Sequence, residues 1–304
     1  MNPVEWKHRV TPTLIFSYLF SAVAALFLIL MLVLFLWQGI PVWRHEGFGY
    51  LTGKQWFYRG SQFGALPMIY GTCVVAALGL LLATPVGLGT AIFTAEFLPA
   101  RSRLAIKVIV ELLSGIPSVV YGLLGLLFLR NWVYTALAPF DPLSGDTLLT
   151  AGLLLAVMIL PTIMTLADDA LRSVPGAQRM AARGLGLTHT ETILSVTLPQ
   201  AASGILSAVL LGFGRALGET IAVFLVVGRQ DNQWPPNLFS LRPLIESGQT
   251  LTSKLGGSET NIAYGDPLHW AALVGLGVIL LGLVVTVTLA GIRLGNRKAT
   301  GAQI

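Results

Sequence analysis

The chain has 304 residues, 54% of them hydrophobic and only 11% charged, with a mean hydropathy of +0.75. That composition excludes an ordinary soluble domain and sets the expectation of a polytopic membrane protein. The formal charge of +5 is no pointer to nucleic acid, because in such a protein the information lies in where the cations sit relative to the spans.

A spanning helix needs about 20 predominantly apolar residues. Six stretches qualify: Phe16 to Trp37, Ile69 to Phe93, Ile116 to Phe128, Leu148 to Leu166, Gly204 to Val227 and Trp270 to Ile292. The predicted fold class is all-α, a single transmembrane domain over residues 1–304 with six helices and both termini on one face. The first run lacks a small-residue cleavage site and reads as an uncleaved span. Lys7 and Arg9 precede it, Arg101, Arg103 and Lys107 follow the second, Arg172, Arg179 and Arg183 follow the fourth, and Arg293, Arg297 and Lys298 follow the sixth. By the positive-inside rule that face is cytoplasmic. The opposite connections hold Trp37, Trp43, Trp56, Trp132, Trp234 and Trp270, as an aromatic belt at the outer interface would.

The outer connection 39–67 is rich in Gly, Trp and Tyr, and the outer connection 229–269 carries Pro235, Pro236, Pro243 and a Gly/Ser/Thr tract. Both exceed a simple turn, so each is either a docking surface or an ordinary polar loop. Gly53-Lys54-Gln55 is too little of a phosphate-cradling loop for ATP hydrolysis, and Cys73 in the second span is the only cysteine. No cofactor and no metal site is expected, since the four histidines are scattered.

The third span departs from a regular helix. Leu104 to Leu113 reads as an amphipathic lead-in with Lys107 and Glu111 spaced for a surface ion pair. Ser114, Gly115 and Pro117 break it, and a helix restarts near Ser118. Such a break is tolerated at membrane depth only against protein or a water-filled path, where exposed amides could face an anion; the alternative is a proline kink used for packing. Arg130 at the end of this span is expected to snorkel to the outer interface, and Asp168 and Asp169 at the end of the fourth to be solvated.

The connection from Ala167 to Gln200 predicts a helix opened by Pro175, a turn at Gly184 and Gly186, and a second short helix. Thr188 and Glu191 form a capping-box pattern for the latter, and Pro199 ends or bends it before the fifth span. Within the fifth span the only charges are Arg215 and Glu219. A cation there costs about 2.5 to 3.5 kcal/mol on insertion scales, so it marks a substrate path or a structural ion pair between helices. Four residues apart, the two are expected to pair with each other at rest, until an arriving oxyanion competes for the guanidinium. The candidate pathway residues are Arg215, Glu219, Thr220 and Ser118.

Met180, Ala181, Ala182, then Gly186, then Val196, Leu198 and Pro199 stand at the spacing of the E-A-A-x(3)-G-x(9)-I-x-L-P motif, with Met180 in place of Glu and Val196 in place of Ile. On these residues the chain resembles the permease subunits of bacterial binding-protein-dependent ABC importers. The segments from Phe63 to Thr72, Gly115 to Gly122 and Gly214 to Val223 are similar to the phosphate-specific branch. The resemblance implies the MetI-like fold and a phosphate path shared with a homologous second permease. It implies two ATPase subunits that bind the ATP and dock on residues 175–199, with Met180, Ala181, Ala182, Gly186, His189, Leu198 and Pro199 as coupling residues. It also implies a soluble phosphate-binding protein on the outer loops, a non-enzymatic role and a place in the bacterial plasma membrane. Another oxyanion as cargo, such as sulfate, molybdate or tungstate, stays open. An ion-coupled secondary transporter is the rival of a different class, to be marked by inverted repeats or several intramembrane acids.

Overall fold

The computed structural model describes residues 12–235 and 241–301. Lys7, Arg9 and Pro236 lie outside them, as do the side chains of Arg297 and Lys298. Among the described residues six helices are long and apolar enough to cross a bilayer: Leu14–Glu46, Leu66–Glu96, Ser118–Phe140, Leu148–Arg172, His189–Gly218 and Pro267–Gly291. The second, fourth and fifth spans form the packed centre, the sixth lies against the fifth, and the first lies against the sixth. The side chains of the first span are exposed along most of its length, which suits a helix facing lipid.

Small residues let the central helices approach. Leu155 of the fourth span seats against Gly79 of the second, and Leu78 returns the contact at Gly152, where an added Cβ would meet Leu78 at 2.8 Å. Such reciprocal notches replace the hydrophobic drive that water would supply elsewhere. The core around them is apolar, with Ile159 and Ile163 fully buried.

Several span boundaries differ from the sequence reading, the first span running past Trp37 to Glu46. The third span runs on from Ser118 to Phe140, with a π turn at Gly125–Leu129. The second helix of the helix-turn-helix is the foot of the fifth span. His189–Thr192 continues through a π turn at Ile193–Thr197 into Leu198–Gly218. Pro199 does not end this helix; the wider turn before it accommodates a residue that has no N–H to donate. At the far end the apolar run does not continue as one helix to Val227. It stops at Gly218, and a separate helix covers Ile221–Val226.

The described residues of connections 39–67 and 229–269 pack together as a layer on the side that the sequence reads as outer. Within it are a small hairpin pairing Trp56 with Phe63, and short helices Leu251–Leu255 and Glu259–Ala263. Tyr50, Trp56, Phe63, Met68, Leu251 and Leu273 share one apolar cluster, and the Tyr50 hydroxyl donates to the Ala272 carbonyl at 2.6 Å. Burial pushes the Tyr50 phenol well above its usual range. Trp56, expected in an interfacial belt, is instead only 3% exposed within this layer, whereas Trp37 and Trp132 are exposed.

At the centre of the layer is a charge cluster that the sequence reading missed. Lys254 is 3% exposed; its Nζ donates to Asp231 at 2.6 Å and Glu259 at 2.8 Å, and lies 5.2 Å from the Trp56 ring centroid. Glu259 also accepts from the Trp56 indole at 3.1 Å. His269 is stacked on Tyr58 and Phe63 beside it.

Candidate functional site

The break in the third span is where the sequence places it. The lead-in helix ends at Ser114, Gly115 and Pro117 cap the two sides, and a helix restarts at Ser118. The Tyr121 hydroxyl stitches the gap by donating to the Leu113 carbonyl at 2.8 Å. Against this break the fifth span presents Arg215. Its guanidinium donates to Thr162 Oγ1 at 2.9 Å and reaches Ser114 Oγ at 3.5 Å. Thr162 belongs to the fourth span and sits roughly 15 Å along the axis from Arg172 at 1.5 Å per residue. The guanidinium therefore lies within the span, about two helical turns in from the Lys107–Asp169 pair.

Arg215 and Glu219 do not pair with each other. Because the helix stops at Gly218, Glu219 is extended, with φ −69° and ψ 124°, and the i, i+4 geometry is lost. Its Oε1 instead accepts from the Ala222 N–H at 3.3 Å, at the start of the next short helix. Its carbonyl accepts from the Thr252 hydroxyl at 2.9 Å, which ties the break to the outer layer. Thr220 completes the turn, its hydroxyl donating to the Gly218 carbonyl at 3.3 Å. Among the described residues no carboxylate forms an ion pair with Arg215. The structure thus gathers Arg215, Ser114 and Thr162 around one point, with Glu219 and Thr220 at a second break in the adjoining chain. Ser118 is half-buried at the restart of the third span. Thr162 was not singled out from sequence, and Ser114 only as part of the helix break; a hydroxyl in a fully apolar run was the available signal for the first.

A guanidinium with two neutral hydroxyl acceptors keeps most of its five N–H donors for another partner. Its planar fork matches two oxygens of a tetrahedral oxyanion. The absence of a resident carboxylate means an incoming anion need not displace one.

At the other end of the fourth and fifth spans, the helix Gly176–Gly184 turns through Gly186, whose φ of +91° only glycine adopts without strain, into the capped start at His189. The capping box is formed: the Thr188 N–H donates to Glu191 Oε2 at 2.8 Å, and the Glu191 N–H donates to Thr188 Oγ1. Met180 is 69% and Leu185 83% exposed, while Ala182 is buried; Ala181, Gly186 and Pro199 are exposed and Leu198 is half-buried. His189 faces inward, its Nε2 toward the Glu96 carbonyl at 3.2 Å and its Nδ1 toward Arg183 at 2.8 Å.

Two further charges are placed differently from their sequence reading, and Arg130 has a partner the sequence did not indicate. Lys107 pairs with Asp169 at 2.9 Å rather than with Glu111. Asp168 is not solvated but 3% exposed, accepting from the Thr94 hydroxyl at 3.0 Å. Arg130 pairs with Asp146 at 3.2 Å; burial raises the Asp146 carboxyl, against the opposing pull of Arg130.

Residues 83–294 match the family model described as binding-protein-dependent transport system inner membrane component. The chain is 36% identical over 260 residues to the phosphate transport system permease protein PstC of Mesorhizobium japonicum, covering 80% of this chain and 76% of that one. It is 33% identical over 300 residues to the PstC of Haemophilus influenzae, covering 93% and 90%. Among solved structures, a chain of a bacterial alginate ABC transporter superposes with a TM-score of 0.62 at 15% identity, covering 93% of this chain and 94% of that one. A chain of the inward-facing MetNI methionine ABC transporter gives 0.57 at 17%, covering 75% and 93%.

Proposed function

Because this chain belongs to the binding-protein-dependent inner-membrane transport family, in its PstC branch, we propose that it carries inorganic phosphate past Arg215 in an ATP-driven importer. It is the multi-pass, non-catalytic permease subunit of an ABC importer, a class that works with a binding protein and an ATPase. In the proposed assembly a homologous second permease closes the path and a soluble phosphate-binding protein docks on the outer layer. Of two ATPase subunits, one receives Met180 and Leu185 in its cleft, and both termini lie in the cytoplasm. Exposed apolar side chains at the turn of a helix-turn-helix favour burial by such a partner.

The observation that carries this reading is the guanidinium within the spans with no carboxylate partner among the described residues. Retaining an unpaired cation there is costly unless an anion visits it. The rival ion-coupled transporter would need several intramembrane acids. Between Leu198 and Val227 the single acid, Glu219, sits at a chain break and caps a helix. Co-purification followed by phosphate uptake into proteoliposomes tests the assembly: uptake that needs ATP, the ATPases and the binding protein supports it, and uptake by this chain alone on an ion gradient refutes it.

Glu219 supplies a basis for choosing the cargo. Phosphate at neutral pH keeps at least one proton, which it can donate to the free Glu219 oxygen as it passes from Arg215, whereas sulfate has none to give. One hydrogen bond to a charged group is worth about 1.5 to 3 kcal/mol. Glu219→Gln is therefore expected to cut the preference for phosphate over sulfate about tenfold in the reconstituted complex, with the helix cap kept by the amide oxygen. An unchanged preference removes Glu219 from selection.

A further inference from the structure

The helix Gly176–Gly184 has almost no apolar anchor, since Ala182 is its only buried residue. Among the described residues one side chain bonds it directly to the second and fourth spans, while Arg183 reaches Glu96 only through His189. The Arg179 guanidinium donates through Nη1 to Glu96 Oε1 at 2.7 Å and through Nη2 to the Leu171 carbonyl at 2.5 Å. Glu96 ends the second span and its side chain is 4% exposed, while Leu171 lies in the last turn of the fourth. The next residue, Met180, points outward. One turn of helix thus carries an outward apolar knob beside an inward ionic bolt.

From Glu96 the contacts run on toward Arg215. Two residues back on the second span, the Thr94 hydroxyl donates to the buried Asp168 carboxylate of the fourth. The adjacent Asp169 pairs with Lys107 of the lead-in helix, and that helix ends at Ser114, which meets the Arg215 guanidinium.

We propose that Arg179 and Glu96 form the strut that passes displacement of the Gly176–Gly184 helix to the second and fourth spans, and so to the break beside Arg215. They are positioning residues, remote from the cargo. The proposal rests on the reading that this helix docks an ATPase. A buried ion pair suits the role, because sliding the helix without moving both spans would strand the Glu96 carboxylate and the Leu171 carbonyl away from water.

The test uses the reconstituted complex and reads phosphate transported per ATP hydrolysed. Arg179→Gln and Glu96→Gln are each expected to lower that ratio about tenfold while the ATPases still co-purify and hydrolyse ATP. The double variant should be no worse than either single one, as two ends of one contact require. A purely structural role would lower yield, transport and hydrolysis together and leave the ratio unchanged, and that result overturns the proposal. A second measurement needs no variant. In the unmodified complex, nucleotide should change amide hydrogen exchange at 89–97 together with 176–184, and an unresponsive 89–97 segment also overturns it. If the ATPases fail to co-purify with the unmodified chain, the docking reading has failed, and this is seen before any ratio is measured.

Discussion

Arg215→Gln is expected to lower ATP-driven phosphate uptake about a hundredfold or more in the reconstituted complex, without loss of assembly. A charge-assisted, two-pronged contact to an oxyanion is worth about 3 kcal/mol, and each 1.4 kcal/mol is a factor of ten. The variant also removes the long-range attraction that a low-dielectric surrounding amplifies. Assembly should survive because, among the described residues, the native residue is held by the hydroxyls of Thr162 and Ser114, which a glutamine amide can engage in part. Removing the cation also removes its insertion cost. Arg215→Lys should fall between the two, since an ammonium keeps the charge without the planar fork. Uptake by Arg215→Gln at the native rate would leave Arg215 a packing residue.

The largest effect on stability is expected at Lys254. Replacing it with Met leaves Asp231 and Glu259 facing each other without the cation that holds both, and removes the charge beside the Trp56 ring. Breaking a buried pair from one side costs about 3 to 5 kcal/mol. The loss should appear in detergent as early unfolding of the outer layer, read by hydrogen exchange at 249–259. Adding Asp231→Asn and Glu259→Gln should restore most of it, because the penalty lies in the stranded carboxylates rather than in the missing contact. A Lys254→Met protein as resistant as the native one would show that water reaches the cluster.

The spans and the broken third helix were legible because length and apolarity are one-dimensional properties. Ser114, Gly115 and Pro117 announce the break in any context. What sequence could not show was where neighbouring chain intervenes. Arg215 and Glu219 are correctly spaced for an i, i+4 pair only if the helix continues, and it stops at Gly218 although the apolar run does not. Lys107 had a partner one turn away in Glu111 but finds Asp169 across a helix junction. Asp168 and Asp169 are identical by local rules, yet consecutive positions on a helix point about 100° apart. One therefore enters the core and the other the surface. Lys254 stood in a polar tract that reads as loop, and only the folding of two distant connections onto each other buries it.

The central claim is that cargo passes beside the guanidinium, and the most direct measurement keeps that guanidinium in place. In a Cys73→Ala background, Ser118→Cys puts a thiol at the restart of the third span. A hydrophilic, membrane-impermeant thiol reagent is then applied to the assembled complex while it hydrolyses ATP. Modification during turnover that slows under saturating phosphate, and not under chloride, is the expected result. A thiol that stays unmodified in every nucleotide state, or is modified at a rate indifferent to phosphate, would contradict a phosphate path beside Arg215.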